Sequence, residues 1–239
     1  MNSGPPVEDS AEAAAIRARY ERRKQDLPDN RYSMQDPATW QIDLERQRAM
    51  NLLFANRLPR PIEELRIAEV GCGTGGNLLQ FIRLGCRPGH LTGIDLIDER
   101  VAVARERLPA TVTLHAADAA EFHLGDGSQD VVYQAVVFSS ILEDEAQVRL
   151  ARQMWRWLKP GGALLWYDFI YDNPRNPDVR GVPLQRIRQL FPGQAITWRR
   201  VTLAPPLARA ASNIHPRLYG LLNIAPWLRT HVLCWMVKQ

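Results

Sequence analysis

The chain contains few cysteines and no long apolar run, and each scarcity argues against a class of protein. Its three cysteines, Cys72, Cys86 and Cys234, form neither a C-x-x-C pair nor a cluster with metal-ligand spacing. We therefore expect small buried thiols in a reducing compartment, with no disulfide and no metal site. No uncharged apolar run of about 18 residues occurs, and the first residues lack the apolar core of a signal peptide. These absences predict a cytoplasmic protein.

Lysine is also scarce, since it occurs only at positions 24, 159 and 238. Arginine therefore supplies nearly all of the positive charge behind the formal net charge of +4. A basic surface can attract anionic partners, including nucleic acid. A compositional bias toward arginine produces the same balance without such a partner, so the net charge alone does not identify one.

A glycine-dense turn is the most informative segment of the sequence. The apolar run at 67–70 leads directly into Gly71, Gly73 and Gly75, and a helical pattern follows to Leu84. Glycines permit positive φ angles and a close approach of the backbone to a ligand. The free N–H groups and the dipole at the start of the following helix favour an anionic group. The segment therefore predicts a site for a nucleotide-like or carboxylate-bearing ligand.

Apolar strand-like runs alternate with helical patterns from residue 65 onward. This alternation predicts a doubly wound α/β fold with a mostly parallel sheet covered on both faces. We expect residues 1–60 to form an N-terminal helical arm and residues 61–239 to form one domain, with a lid insertion near 205–229. The predicted strands are 65–70, 90–97, 112–117, 130–138, 163–170, 195–203 and 230–238. The predicted helices are 11–25, 37–58, 78–84, 99–108, 143–158, 184–190 and 216–224.

Three segments, in this order, resemble a class I S-adenosylmethionine-dependent methyltransferase of the small bacterial type. Residues 69–75 resemble the family's first motif, residues 112–121 the end of its third strand, and residues 158–162 its turn into the fifth strand. The glycine turn alone would be weaker, because its spacing also fits the G-x-G-x-x-G pattern of dinucleotide-binding folds. The resemblance implies a Rossmann-like, seven-stranded sheet with an antiparallel last strand, and S-adenosyl-L-methionine as the cofactor.

The resemblance also implies cofactor-binding roles for residues in and beside the turn. Gly71 and Gly73 would lie against the methionine part of the cofactor, and Gly75 completes the turn. Glu69 would reach the ammonium group, directly or through water.

Further cofactor-binding residues are implied at the ends of the next three strands. Asp95 follows Gly71 by about 24 residues, near the spacing at which an acidic residue accepts ribose hydroxyls; a helix N-cap is the alternative. Asp118 would accept the adenine amino group, while the N–H of Ala119 would meet a ring nitrogen. Gln134 would contact the methionine part through its backbone.

The acceptor would bind beyond the carboxyl ends of the strands, in a pocket formed by the loops there and by the N-terminal arm. His215 is the histidine placed to act as a catalytic base near neutral pH, although it also fits a helix cap; Tyr171 and Asp172 are alternative bases. Tyr171, Arg175 and Arg180 are predicted to bind substrate, since arginine grips phosphate or carboxylate; ordinary surface arginines are the alternative. The converging loops are 139–145, 171–183 and 205–229.

These observations predict a biosynthetic methyltransferase that acts on a small molecule or glycan, with oxygen as the expected acceptor atom. A nucleic-acid methyltransferase is an alternative, favoured by the basic stretch at 17–24. Against it, the sequence lacks an Asn/Asp-Pro-Pro-aromatic signature after the predicted fourth strand. A nicotinamide-dependent oxidoreductase would need more room for a substrate domain. A non-catalytic adaptor weakly associated with a membrane surface is suggested by the apolar series at 218–232. The oligomeric state stays open.

Overall fold

A computed structural model describes residues 10–26, 33–58, 60–174 and 176–239 of the chain. Within these ranges the chain forms eight α-helices and seven strands. The helices are α1 (Ala11–Asp26), α2 (Pro37–Arg57), α3 (Gly76–Arg83), α4 (Asp98–Arg107), α5 (Asp144–Trp157), α6 (Leu184–Leu190), α7 (Pro205–Ile214) and α8 (Pro216–Leu222). The strands are β1 (Ile67–Val70), β2 (Leu91–Asp95), β3 (Thr113–Ala116), β4 (Gln129–Ala135), β5 (Leu158–Phe169), β6 (Ile196–Leu203) and β7 (Arg229–Val237).

The strands form one sheet in the order β3-β2-β1-β4-β5-β7-β6. Neighbouring strands from β3 to β5 are parallel, whereas β7 runs antiparallel to both β5 and β6. The predicted doubly wound fold with an antiparallel last strand is confirmed. The order reverses between β1 and β4, and ligands of open α/β sheets bind at such a reversal, beyond the carboxyl ends of the strands.

Alternate residues of the central strands face two separate cores. On one face Ile67, Tyr133 and Leu165 pack with α2 and α3. On the other face Val132 and Trp166 pack with α5 and α6. Because both faces are covered, these strands are apolar along most of their length, as the sequence pattern predicted.

Strands β4 and β5 each differ from the prediction by three residues or more at one end, and helix α7 was not predicted. Strand β5 begins at Leu158, so it includes residues 158–162, which were predicted as the turn before it; Leu158 pairs with Gln129 of β4 across a register shift. Strand β4 ends at Ala135, three residues early, because Val136 adopts a φ of +53°. Helix α7 occupies a segment in which the sequence indicated only proline breaks. Pro205 and Pro206 stand in its first turn, where a helix does not need their missing N–H groups.

Helices α2, α7 and α8 pack together beside β6. Ala38, Leu203, Ala208 and Tyr219 are buried in this contact. The segment predicted as a lid insertion is therefore built from two helices that rest on α2, while its role as a lid stays a prediction. Among the residues that the structure describes, none of the helices has both the length and the apolar character needed to cross a bilayer.

Candidate functional site

The glycine turn lies between the end of β2 and the loop after β4. The N–H groups of Gly71 and Cys72 both donate to the carbonyl oxygen of Ile94, at 2.7 and 3.1 Å. Gly71 has a φ of +69°, and a Cβ atom there would lie 2.3 Å from Cγ2 of Val137. Only glycine fits this position without strain, because both the dihedral angle and the space exclude a side chain.

Asp95 holds the turn through its buried carboxylate. Oδ2 accepts the N–H of Gly73 at 2.7 Å, and Oδ1 accepts the N–H of Ile97 at 2.9 Å. Nη1 of Arg100 lies 3.8 Å from Oδ2. A carboxylate has about four acceptor positions, so further hydroxyl donors can be accommodated. Helix α4 begins at Asp98 with Ile97 as its cap residue, so Asp95 is not the N-cap of that helix.

Glu69 is fully buried beside the turn, and only one of its two carboxyl oxygens accepts a hydrogen bond from the described residues. Its Oε1 accepts the side-chain N–H of Asn77 at 2.6 Å, but no hydrogen-bond partner for Oε2 occurs among the described residues. Burial raises the pKa of this carboxyl to about 8. An unpartnered buried polar atom needs an explanation, and a cationic or hydrogen-bonding ligand supplies one.

Two more orphaned polar atoms belong to the same part of the molecule. Nε of Arg46 and the hydroxyl of Tyr133 are buried without a hydrogen-bond partner in the ranges described. The charge of Arg46 acts on the carboxyl of Glu69 and on the Tyr133 hydroxyl, lowering the pKa of each against the effect of burial. Helix α2 thus brings a cation to the carboxyl end of the sheet, which no local sequence signal indicated.

Asp118 and Ala119 follow β3 at the same edge of the sheet. Oδ1 of Asp118 accepts the N–H of Ala120 at 2.9 Å, and Oδ2 accepts the hydroxyl of Ser10 at 3.2 Å. Ala119 is buried. The start of α1 therefore lies against the residue predicted to bind adenine.

Gln134 is fully buried near the end of β4 and braces the loop that follows. Its Oε1 accepts the N–H of Val137 at 3.0 Å, and its Nε2 donates to the carbonyl of Tyr167 at 3.4 Å. Val136 between them has a positive φ, which is strained for a β-branched residue. Strain of this kind concentrates at functional sites, where the surroundings hold the backbone in place.

Helix α1 crosses over this edge and contacts the loops after several strands. The Arg100 guanidinium stacks on the Tyr20 ring at 5.0 Å, and Oε1 of Glu12 accepts the N–H of Leu142 at 2.8 Å. In addition, most cations of the basic stretch at 17–24 pair with carboxylates of this chain. These pairs are Arg17–Asp98, Arg19–Glu12, Arg22–Asp178 and Lys24–Glu99.

Two of the three predicted substrate-binding residues after β5 have protein partners in the described ranges. Arg180 pairs with Asp144 at the start of α5, and its backbone N–H donates to the Ser139 carbonyl at 2.8 Å. Tyr171 is exposed, with the guanidinium of Arg200 5.8 Å from its ring centroid. The third, Arg175, lies outside the described residues.

His215 is exposed and caps α8. Its Nδ1 accepts the N–H of Arg217 at 3.1 Å. It lies between α7 and α8, which pack on α2 and β6. The hydrogen bond to Arg217 identifies His215 as a helix cap and does not connect it to the glycine turn, so its catalytic role stays a prediction.

A buried polar network on the α2 side was not indicated by the sequence. The rings of Tyr167 and His231 stack at 5.0 Å, and the Tyr167 hydroxyl shares a 2.8 Å hydrogen bond with Thr202. Glu45 accepts the Thr202 N–H at 2.9 Å and the Tyr219 hydroxyl at 2.5 Å. Burial lowers the pKa of His231 to about 3, so this imidazole is neutral at physiological pH. The network joins five distant segments, and local patterns cannot reveal it.

Comparison with known proteins gives a family match and several relatives. A family model described as a methyltransferase domain matches residues 67–162. Phosphoethanolamine N-methyltransferase 1 of Arabidopsis thaliana is 34% identical over 117 residues, 48% of this chain and 23% of that protein. A tRNA N(3)-cytidine methyltransferase of Gallus gallus is 32% identical over 112 residues, 44% of this chain and 30% of that protein. A fatty-acid O-methyltransferase of Mycolicibacterium smegmatis is 29% identical over 150 residues, 59% and 52% of the two chains. The chain thus spans between a quarter and a half of these relatives' lengths.

Solved structures show the same fold. A 1,6-didemethyltoxoflavin-N1-methyltransferase of Burkholderia thailandensis superposes with a TM-score of 0.63 at 18% identity, covering 99% of this chain and 93% of that chain. An S-adenosylmethionine-dependent methyltransferase of Mesorhizobium loti superposes with a TM-score of 0.60 at 20% identity, covering 81% and 96%. At these identities the likeness concerns the fold, not the acceptor.

Proposed function

We propose that this chain, which contains a class I S-adenosylmethionine-dependent methyltransferase domain, transfers the methyl group of S-adenosylmethionine to a small molecule. The observation that carries the proposal is the buried Oε2 of Glu69, which has no hydrogen-bond partner in the part of the chain that the structure describes. It lies beside a glycine turn at the reversal of strand order. A cationic ammonium group is a suitable partner for that oxygen, because a buried carboxylate is stable only when it is paired.

The residues around the turn fit the remaining parts of this cofactor. Asp95 has acceptor capacity left for a ribose diol after binding two backbone N–H groups. Asp118 and Ala119 stand at the end of β3, where the adenine would lie. Bound there, the cofactor supplies a methyl group on a cationic sulfur, so the protein has to align the acceptor and exclude water.

The position of α1 across the carboxyl edge of the sheet favours a small acceptor. Helix α1 lies across the carboxyl edge, and most of its cations are engaged by carboxylates of this chain rather than free for a phosphate backbone. The named relatives act on phosphoethanolamine, tRNA and fatty acids, so they leave the acceptor class open. We propose oxygen as the methylated atom.

Transfer to a hydroxyl requires a group that accepts its proton. His215 is the base proposed from the sequence. We expect His215→Ala to lower kcat and to remove the limb of the pH profile that reports the base, whereas His123→Ala, at an exposed histidine between β3 and β4, should behave like the wild type. An unchanged kcat in His215→Ala would contradict the assignment.

Titration calorimetry with S-adenosylmethionine and with S-adenosylhomocysteine tests the cofactor assignment. We expect both to bind the wild-type chain and NADH not to bind. Asp95→Asn should weaken binding at least about tenfold, because an amide offers one acceptor oxygen where the carboxylate offers two. The exposed Asp126→Asn is the matched control. Binding of NADH, or of neither donor nor by-product by the folded protein, would contradict the proposal.

A transfer assay tests the acceptor. The chain is incubated with methyl-labelled S-adenosylmethionine and either a small-molecule extract or total RNA. We expect label in the small-molecule fraction. Label confined to RNA would make the protein a nucleic-acid methyltransferase instead.

A further inference from the structure

The connection from β6 to β7 exposes large apolar side chains that its helices do not need for packing. The inner sides of α7 and α8 are already buried against α2 through Ala208 and Tyr219. The outward-facing Leu221, Ile224 and Trp227 nevertheless remain between 62% and 74% exposed. Such side chains in one short segment are uncommon on a monomer surface and mark an interaction site.

These side chains adjoin a second exposed tryptophan and a group of arginines. A shallow depression of about 530 Å³ is lined by Trp198, Arg199, Arg200, Pro226, Trp227 and Arg229. We define the docking face as this depression together with Leu221 and Ile224. Its composition combines bulky apolar groups with cations that form hydrogen bonds to phosphate.

The charge around the docking face has one sign. Residues 179–239 contain eight arginines and one lysine, and no aspartate or glutamate. Carboxylates reach this region from α2: Asp36 lies near Arg209, and Glu45 is occupied by Tyr219 and Thr202. The rim of the depression therefore presents a positive surface.

We infer that the docking face binds an anionic lipid surface. Tryptophan is favoured at the boundary between water and hydrocarbon, and aliphatic side chains beside it can enter the outer acyl region. The arginines would then meet lipid phosphates. Lipid satisfies the apolar and the cationic groups of the face together.

Two other occupants fit less well. Nucleic acid would pair with the arginines but would leave the aliphatic side chains of Leu221 and Ile224 without a suitable partner. A second copy in a two-fold contact would bring the same patch of each chain together. Because residues 179–239 carry no carboxylate, that contact would place arginine against arginine.

One residue links the docking face to the acceptor side of the site. Arg200 lines the depression, and its guanidinium also lies over the ring of Tyr171 in the loop after β5. This link extends the inference to the acceptor, and this extension rests on the proposed function. An amphiphilic acceptor held in the lipid surface would lie next to the loop after β5 and would enter the site from there. Binding to lipid itself does not depend on that step.

Vesicle sedimentation with the full chain tests the inference. We compare vesicles of phosphatidylcholine alone with vesicles of equal parts phosphatidylcholine and phosphatidylglycerol, without donor present. We expect the protein to sediment with the anionic vesicles and at least about tenfold less with the neutral ones, and salt to weaken binding. Absence of binding to anionic vesicles, or equal binding to both, would overturn the inference.

Paired variants separate the apolar contribution from the charge. Ile224→Ser with Trp227→Ser, and separately Arg199→Gln with Arg200→Gln, should each reduce vesicle binding about tenfold or more. The controls are Leu79→Ser on α3 and Arg152→Gln on α5, both exposed and distant in sequence from the face. Each variant is first shown to keep the far-ultraviolet circular dichroism spectrum and the Tm of the wild type, which establishes that it is folded. Equal losses in the control variants would contradict the assignment of the face.

Three further measurements decide between the occupants. Brominated acyl chains should quench tryptophan fluorescence in the wild type and less so in Trp227→Phe. Light scattering should show the same mass for the wild type and the Ile224→Ser, Trp227→Ser variant; a dimer lost in that variant would identify a second copy as the occupant. RNA binding lost in the same variant would identify nucleic acid. Donor binding without vesicle binding refutes only the docking face, while vesicle binding without donor binding refutes only the proposed function.

Discussion

Burial determines the chemistry of Glu69. In the donor-free protein its pKa is raised to about 8, so much of the carboxyl is protonated at neutral pH. A bound ammonium group would favour the carboxylate, and binding would then release a proton. This single residue couples cofactor affinity to pH.

We predict that Glu69→Gln weakens binding of S-adenosylmethionine and removes its pH dependence. In the wild type, affinity should fall as the pH drops below about 8, since the proton and the ammonium group compete for one carboxylate. Calorimetry in buffers of different ionisation enthalpy measures the proton release directly. Glu64→Gln, on the surface before β1, should behave like the wild type. Retention of the pH dependence in Glu69→Gln would show that another group is responsible.

The same substitution should stabilise the donor-free protein in mild alkali. The folded state holds a proton on Glu69 between its ordinary pKa of 4.5 and about 8, where the unfolded chain has lost it. The wild-type free energy of unfolding therefore falls as the pH rises through that range. Urea denaturation at pH values on either side of the range should show a smaller fall in Glu69→Gln than in the wild type.

At the scale of elements, α1 is held by polar contacts that its sequence does not explain. Glu12 is the central residue, since its Oε1 accepts from both Arg19 and the backbone of Leu142. Weakening that contact should loosen α1 at the edge of the sheet, while Ile16 still packs it on the core on the α5 side.

We predict that Glu12→Ala accelerates dissociation of S-adenosylhomocysteine, because the start of α1 lies against Asp118 and Tyr20 of α1 stacks on Arg100, whose guanidinium adjoins Gly73. The far-ultraviolet circular dichroism should be unchanged. Stopped-flow displacement measures the rate, and Glu21→Ala on the exposed side of the same helix is the control. An unchanged rate in Glu12→Ala would argue that α1 does not retain the cofactor.

The segment at 205–229 is joined to α2 by the hydroxyl of Tyr219. Replacing the whole segment with a short turn would expose Ala38 and Leu203, which it covers. Tyr219→Phe is a milder change that leaves the packing intact and an oxygen of Glu45 without its donor. We predict slower transfer with a higher KM for the acceptor and unchanged donor affinity; a change confined to donor affinity would contradict a role on the acceptor side.

At the scale of the whole molecule, ligand binding should be visible in thermal stability. A ligand at a hundredfold excess over its Kd stabilises the folded state by about 2.7 kcal/mol. For a domain of this size that corresponds to an increase in Tm of roughly 5–10 °C. We predict this shift for S-adenosylhomocysteine in scanning calorimetry and none for NAD. A shift with NAD alone would favour the oxidoreductase alternative.

The overall fold was accessible from the sequence, because each strand and helix leaves a local periodic pattern. The alternation of apolar runs and helical stretches predicted the doubly wound sheet, and the resemblance added the antiparallel last strand; both are confirmed. Helix α7 was missed because two prolines that a first helical turn tolerates were taken as breaks. The turn around Gly71 and the position of Asp95 at the end of β2 were likewise readable, since spacing along one βαβ unit sets them.

The sequence by itself determined the order of elements, the glycine turn and the excess of positive charge after residue 178, because these depend on neighbours along the chain. Only the tertiary structure decided that Oε2 of Glu69 has no hydrogen-bond partner in the described ranges, and that carboxylates of other segments pair with most cations of α1. It also decided that Arg46 and His231 both lie beside the ring of Tyr167. Those features require contacts between segments that are distant in sequence. Burial and electrostatic pairing depend on distances in the folded chain, and no local pattern records them.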